Sequence, residues 1–332
     1  MIMKNFTTKI FSTIKICKRK WTLGNFVLAT TIFFAGNTFV QAADYYGEVN
    51  AVNVYSGTNT NYGTINTAGV YGGQLDNHGV LIKNLTLSGT NSTVNNWSTI
   101  NTATVNGGRF ENLNKGIVGD LTMTGGSVWN LAGGTMQNAT VNGGTLTNRY
   151  GLVESLTVKS GTVANGFYAG RSYATINNAM VDGGTLTNRW IVDDLTLNNG
   201  TVCNYISGNY DNGRYTSAMI NTAKVNGDRL VNQEGHIGNL MMSDGIVENT
   251  SIGIIFNITV NGGELQNRSY STGKVENLTL NDGIVKNDFN GSTIKNAEVN
   301  GGKFSNQNTA IIENLTMNGG LLKTKTGGLS ML

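Results

Sequence analysis

The chain of 332 residues contains no proline, only two cysteines, only two histidines and only 13% charged residues. Two cysteines exclude a framework of several disulfides, and so few charges do not suit a charge-driven disordered tail. The absence of proline fits a sheet protein, because a central strand must donate its backbone amides to its neighbours. The motifs Gly-x-Ser-x-Gly and His-Glu-x-x-His and the phosphate-binding loop are also missing, which removes the common catalytic signatures.

Residues 1–42 are predicted to be an extended, cleaved signal peptide. This leader carries six basic and no acidic residues, followed by an apolar stretch from about Phe26 to Ala35. Val40 and Ala42 supply the small side chains expected before a cleavage site at Ala43. The alternative is a membrane anchor, although the apolar run is short for a bilayer. No later segment is long and apolar enough to cross a membrane, so we expect no transmembrane segment in the mature chain.

Removal of the leader changes the charge and the cysteine content. The remaining chain has 23 − 6 = 17 basic and 20 acidic residues, a net charge of −3. Without a basic stripe, nucleic acid is not expected as a partner. Cys17 leaves with the leader, so Cys203 remains alone, either as a tolerated surface residue or as a thiol that links two molecules.

The body of the chain is an internal repeat. "VNGGTLTN" at residues 141–148 returns as "VDGGTLTN" at 181–188, and looser copies begin at Val105, Val225, Val260 and Val299. Segments such as "LTLNNGTVCN" and "LTLNDGIVKN" alternate with them, and like segments recur roughly every 35–45 residues. Short alternating apolar and polar stretches at such a period predict stacked strands.

We therefore predict an all-β fold, a parallel β-helix of about fourteen coils over residues 43–325, with a tail at 326–332. A right-handed wind is expected for parallel crossovers. The recurring Gly-Gly pairs should form corners that need positive φ and close backbone approach. Asparagine recurs two residues after an apolar residue, which predicts an inward ladder of side-chain amides. Its members are Asn77, Asn96, Asn112, Asn130, Asn148, Asn165, Asn188, Asn204, Asn232, Asn249, Asn267, Asn287 and Asn306.

With the leader and the alternating "VNGGTLTN" and "NLTL" segments, the chain resembles the passenger domain of bacterial autotransporters of the diffuse-adherence adhesin type. The resemblance implies a secreted or surface-exposed adhesin of a Gram-negative bacterium. Its partners would be a glycan or protein receptor on a host or bacterial surface, or a second copy of the chain. One departure is that "KTKTGGLSML" at the C-terminus carries none of the amphipathic strands of the family's β-barrel. A truncated or split passenger, or another export system, would explain it.

The sequence offers few candidates for chemistry, and we expect no enzyme activity, metal or cofactor. Asp193 and Asp194 lie at a coil corner, where strand alternation should turn them to opposite faces. His78 and His236 are placed in turn regions after the asparagine column and far apart, without a second ligand at metal spacing. A polysaccharide-degrading β-helix enzyme and a nonfunctional remnant of a longer gene remain the alternatives.

Two aromatic insertions form the predicted ligand-binding site, named here the aromatic–arginine patch. Aromatic rings beside guanidinium groups are frequent anchors of interfaces and can stack on sugars. The alternative is that these side chains only cover their own corners. Arg149 with Tyr150 and Arg189 with Trp190 form similar pairs at another corner. The patch consists of Phe167, Tyr168, Arg171, Tyr173, Tyr205, Tyr210, Arg214 and Tyr215.

Overall fold

The computed structural model describes residues 26–33, 39–166, 174–205, 218–269 and 273–324, and gives the backbone alone for 26–33 and 39–41. All regular structure in these ranges is β-strand, so the predicted fold class is confirmed. Within the same ranges, no helix has the length and hydrophobicity that a membrane span requires.

The strands number 28 in the described ranges. The first fourteen are β1 (Phe26–Phe33), β2 (Phe39–Tyr46), β3 (Glu48–Val54), β4 (Thr58–Asn61), β5 (Thr64–Val70), β6 (Gly73–Asn77), β7 (Leu81–Leu87), β8 (Ser92–Asn96), β9 (Thr99–Val105), β10 (Arg109–Asn112), β11 (Ile117–Met123), β12 (Ser127–Asn130), β13 (Thr135–Asn148) and β14 (Leu152–Asn165). The others are β15 (Thr175–Asn188), β16 (Ile191–Tyr205), β17 (Met219–Val225), β18 (Arg229–Gln233), β19 (His236–Met242), β20 (Ile246–Ser251), β21 (Ile254–Val260), β22 (Glu264–Ser269), β23 (Lys274–Leu280), β24 (Ile284–Asn287), β25 (Thr293–Val299), β26 (Lys303–Asn306), β27 (Ile311–Met317) and β28 (Leu321–Thr324).

One coil consists of a seven-residue strand, a glycine corner and a short strand, as in β7 with β8. In β13 to β16 the two strands are continuous through the corner. From β2 onward, each strand pairs in parallel with its equivalent in the next coil, for example β7 with β9 and β8 with β10. About fourteen coils stack in this way, which gives a rod on the order of 65 Å long at about 4.8 Å per coil.

The seven-residue strand is bent in its middle. In β7, Ile82, Leu85 and Leu87 are buried, whereas Lys83 and Asn84 lie side by side on the outside. Two successive outward residues break the strict alternation of a flat strand, so the backbone turns a corner there and wraps around the core. The same bend carries Asp193 and Asp194, both of which lie on the outer surface. The expected corner is therefore confirmed, but the expectation that the two carboxylates face opposite ways is wrong.

The interior is built from columns in which large and small side chains alternate. Ala139 lies beside Leu156 in the next coil, and Leu146 on the short strand lies beside Val163. A coil with alanine on its seven-residue strand thus carries a large residue on its short strand. The following coil carries the large residue on its seven-residue strand and the smaller one on its short strand. This complementarity keeps the core filled and explains why the repeat unit is two coils. Ile258 is an exception, because it takes the position of alanine in a coil that also contains Leu265.

The asparagine ladder is confirmed and is longer than predicted. Thirteen hydrogen bonds of 2.7–3.0 Å join fourteen described asparagines, and in every one the Nδ2 atom donates to the Oδ1 atom of the next coil. The ladder begins at Asn61, which the apolar-x-Asn rule misses because Asn59 replaces the apolar residue. Thr324 lies in register with Asn306, so the ladder ends there.

The two glycines of a Gly-Gly corner have different roles. Gly144 has a φ of +76°, a backbone conformation that side chains disfavour. Gly143 lacks a positive φ, but a Cβ atom there would lie 2.5 Å from the carbonyl oxygen of Thr124 in the preceding coil. Both expected features of the Gly-Gly pair are present, but the second glycine has the positive φ and the first makes the close approach to the backbone of the preceding coil.

The two ends of the described stack differ. At the N-terminal end, Tyr45 is buried and its hydroxyl donates to Oδ1 of Asn59 at 3.2 Å. The backbone of β1 pairs antiparallel with β2, which spans the predicted cleavage site; the cleavage itself stays a prediction. At the other end, Leu321 of β28 is 65% exposed, so the last described coil leaves apolar surface uncovered.

Candidate functional site

Most of the aromatic–arginine patch lies outside the described residues. Tyr205 alone of its eight members is described; it ends β16 and is partly exposed. The patch therefore stays a prediction. Of the similar pairs, Arg149 places its guanidinium carbon 5.3 Å from the ring centroid of Tyr150, a cation–π contact within one corner.

A different group of rings is described in full and lies near the N-terminal end of the rod. Tyr62, His78 and Trp97 each follow a ladder asparagine, and Tyr46 takes the equivalent place in β2. Backbone bonds fix these corners: the amide of His78 donates to the carbonyl of Asn61 at 3.0 Å, and that of Trp97 donates to the carbonyl of Asn77 at the same distance. These four residues form the aromatic column.

The rings of the aromatic column stack along the rod axis. Centroid separations are 5.1 Å from Tyr46 to Tyr62, 6.2 Å from Tyr62 to His78 and 4.2 Å from His78 to Trp97, with interplanar angles of 13°, 19° and 11°. Tyr46 and Tyr62 are 44% and 47% exposed. A second stack on another corner, Tyr55 with Tyr71 at 5.4 Å, is named the tyrosine pair.

This geometry decides which contacts the aromatic column can make. The ring faces cover one another, so a partner that approaches from the side meets ring edges and the tyrosine hydroxyls. Ring edges carry partial positive charge and attract oxygen atoms, and the hydroxyls can donate hydrogen bonds. The column is therefore suited to the carbonyl or hydroxyl oxygens of a peptide or a glycan.

The aromatic column was not predicted from the sequence, because the prediction considered only residues whose side chains point into the core. The available signal was the residue directly after the column asparagine, which is aromatic or imidazole in three successive coils. In the sequence, His78 stands out only as an isolated histidine. His236 begins β19 and packs edge-on against Phe256 at 5.9 Å, so its placement in a turn was wrong. Burial lowers the pKa of His236 below its usual value.

Other reactive groups are scattered over the described part of the chain. In these ranges, no group of three or more His, Cys, Asp or Glu side chains comes together as a metal site. Cys203 points outward from β16 and is partly exposed, and its pKa is raised, chiefly by burial. A raised pKa keeps the thiol protonated and less nucleophilic at neutral pH.

Polar ladders also run along the outside of the rod. Asn239, Asn257, Asn277, Asn296 and Asn314 occupy the strand bend in successive coils and are joined by bonds of 2.8–3.0 Å. These amides are exposed, so each bond contributes little to stability, but the row presents a regular polar edge. The described surface thus combines aromatic and amide rows on one regular framework.

Comparisons of the chain with family models, with curated proteins and with solved structures found no match.

Proposed function

We propose that the chain is a non-catalytic adhesive or structural passenger, displayed at or secreted from a bacterial surface, that mediates attachment or self-association. The observation that supports this role most directly is the aromatic column, an exposed row of ring edges at the corners of the stack. Each contact at a ring edge is weak, but a row of them on one regular framework can act together.

The structure of the core supports a mechanical part in the same role. From the coil of Asn61 to the coil of Asn306, each coil is tied to the next by backbone pairing and by a ladder amide, so a pull at one end of this part of the stack is transmitted to the other. A stiff rod holds contact surfaces away from the envelope, which suits attachment. The resemblance to autotransporter passengers supports the same proposal.

The test uses the full chain coupled to beads. Beads coated with the protein should clump or attach to surfaces coated with glycans or proteins, and should release no oligosaccharide from those glycans. The variant Tyr62→Ser/Trp97→Ser should reduce attachment or clumping by about tenfold, because it removes two rings of the aromatic column.

The matched control is Tyr55→Ser/Tyr71→Ser, which removes the tyrosine pair from another corner and should leave attachment unchanged. An equal loss of attachment in both variants would mean that any change of the surface weakens attachment, and it would refute a specific role of the aromatic column. Beads that neither clump nor attach would refute the adhesive role, and release of oligosaccharides would establish the enzyme alternative instead.

A further inference from the structure

A groove of about 490 Å³ lies on the outer face of the short strands near the end of the described stack. Its floor is formed by β24, β26 and β28, in which Lys286, Ser305 and Lys323 are aligned in register. Ser305 is short and its two column neighbours are long, which leaves the space. Ile284, Lys303 and Leu321 form the adjacent column. We name this feature the lysine groove.

The groove is positive. Its lining contains four basic residues, Arg268, Lys286, Lys303 and Lys323, and one acidic residue, Asp288, a difference of +3. This sign is opposite to the net charge of −3 that the whole chain has without its leader. A local excess of positive charge on an acidic molecule marks the groove as a place where an anion is attracted.

Two of the four basic side chains form ion pairs with described carboxylates, and the other two do not. Lys286 Nζ lies 2.7 Å from Glu264 Oε1, and Arg268 Nε lies 3.4 Å from Asp288 Oδ1. Lys303 and Lys323 are exposed, and neither forms an ion pair with a described carboxylate. Their ammonium groups can each turn toward a ligand and donate up to three hydrogen bonds.

The rest of the lining indicates what carries the anion. Gln307 Nε2 donates to Ser305 Oγ at 2.7 Å, which leaves the second amide hydrogen and the amide oxygen of Gln307 for a ligand. Ile284 and Leu321 add apolar surface beside these polar groups. A sugar ring has this combination of hydroxyl groups and an apolar C–H face, and a carboxylate or sulfate on the ring would meet the lysines.

We propose that the lysine groove binds an acidic saccharide, a short stretch of glycan that carries carboxylate or sulfate groups. Lys303 and Lys323 contact the anionic groups, Ser305 and Gln307 contact ring hydroxyls, and Ile284 and Leu321 contact the ring face. This inference rests on the proposed binding role and deepens it by naming a ligand class and a second site, far from the aromatic column.

The proposal is tested with the full chain by fluorescence anisotropy at low salt. The probes are labelled oligosaccharides of equal length: one carboxylated (tetragalacturonate), one sulfated and one neutral. The two acidic probes, or one of them, should bind, with affinity that falls as salt is added, and the neutral probe should bind at least tenfold more weakly. The acidic probe that binds identifies the anionic group.

Two variants locate the binding. Lys303→Gln/Lys323→Gln should weaken acidic-probe binding about fivefold or more, because it removes two exposed ammonium groups. Ser305→Tyr keeps every charge but fills the groove, and should also abolish binding. The control Lys159→Gln/Lys224→Gln removes two exposed lysines elsewhere on the rod and should leave binding unchanged. Circular dichroism and the thermal midpoint verify that each variant is folded.

Equal binding of neutral and acidic probes, or unchanged binding in both groove variants, would overturn the proposal. The proposal would also be overturned if the control variant lost as much affinity as the groove variants, or if a single-stranded thymidine oligonucleotide bound as tightly as the acidic saccharides. Bead attachment is measured separately, so beads that attach while the groove binds no acidic sugar would refute this inference and leave the proposed function standing.

Discussion

At the scale of the residue, asparagine is suited to the interior of this rod because its amide has one donor and one acceptor to offer along the axis. Asn130 accepts from Asn112 at 2.9 Å and donates to Asn148 at 3.0 Å, and it also donates to the backbone carbonyl of Leu152. The side chain of Asn130 is fully buried, and an unpaired polar group in such a place costs about 1–3 kcal/mol. The ladder therefore stabilises the fold only when each buried amide has its partners in the neighbouring coils.

Replacement of one ladder member should therefore be costly. We expect Asn130→Ala to lower the free energy of unfolding by about 2–4 kcal/mol, because it removes three hydrogen bonds of a buried side chain and leaves a small cavity. The control is Asn257→Ala, which also removes an asparagine with a bond on either side, but on the exposed ladder. That variant should cost less than about 0.5 kcal/mol. Urea unfolding followed by circular dichroism measures both, and equal losses would contradict the importance of burial.

The residue scale also shows what could be predicted from the sequence. Thirteen of the fourteen ladder asparagines follow the apolar-x-Asn rule, and the Gly-Gly corners are explicit in the sequence. Asn61 was missed because a rule based on apolar neighbours cannot detect the end of a stack, where Asn59 hydrogen bonds to Tyr45. The aromatic column was missed because the prediction considered inward positions, although the residues that directly follow the ladder asparagines are in register with one another as well.

At the scale of the element, the bent strand and its alternating columns determine the two-coil repeat. A seven-residue strand alone would bury too little, but Ala139 and Leu156 in neighbouring coils fill one another's space. The sequence showed that two kinds of segment alternate; it did not show that their inward volumes are complementary. That relation becomes visible only when the parallel register places each alanine beside a leucine.

The complementarity predicts a rescue between coils. Leu156→Ala should lower stability by about 2–5 kcal/mol through a cavity, and Ala139→Leu by about 1–3 kcal/mol through crowding. The double variant Ala139→Leu/Leu156→Ala preserves the total volume, so it should lose clearly less than the sum of the single losses. Unfolding free energies of the four proteins form a double-mutant cycle. Strictly additive losses would show that the two columns do not share space.

At the scale of the whole molecule, stability is a sum over coils, and pH should act on it locally. The coil of β19 and β20 carries two described groups with altered pKa values. The pKa of His236 is lowered by burial, and that of Glu248 is lowered chiefly by its hydrogen bond to Arg229. Both shifts mean that the unfolded chain binds protons more readily than the folded one as the pH falls.

Acid should therefore destabilise this coil in two steps. Folded His236 resists protonation, so stability is lost as the pH falls below the usual histidine value of 6.5. The contribution of Glu248 is present above the usual glutamate value of 4.5 and is lost as the pH falls through the lower folded pKa. His236→Gln should remove the upper step and Glu248→Gln the lower one, each altering the thermal midpoint by about 1–2 °C. Midpoints recorded from pH 7.5 to 3 measure both, and parallel curves for all three proteins would contradict the assignment.

The interior asparagine ladder has a single direction along the rod, so the core contains a row of aligned amide dipoles. Every ladder amide points its hydrogens toward the C-terminal end and its oxygen toward the N-terminal end. Side-chain dipoles that are aligned head to tail add up, as peptide dipoles do in a helix. The buried core therefore contributes an axial dipole with its negative end beside Asn61 and its positive end beside Asn306, and the exposed ladder from Asn239 to Asn314, whose amides donate in the other direction, opposes it.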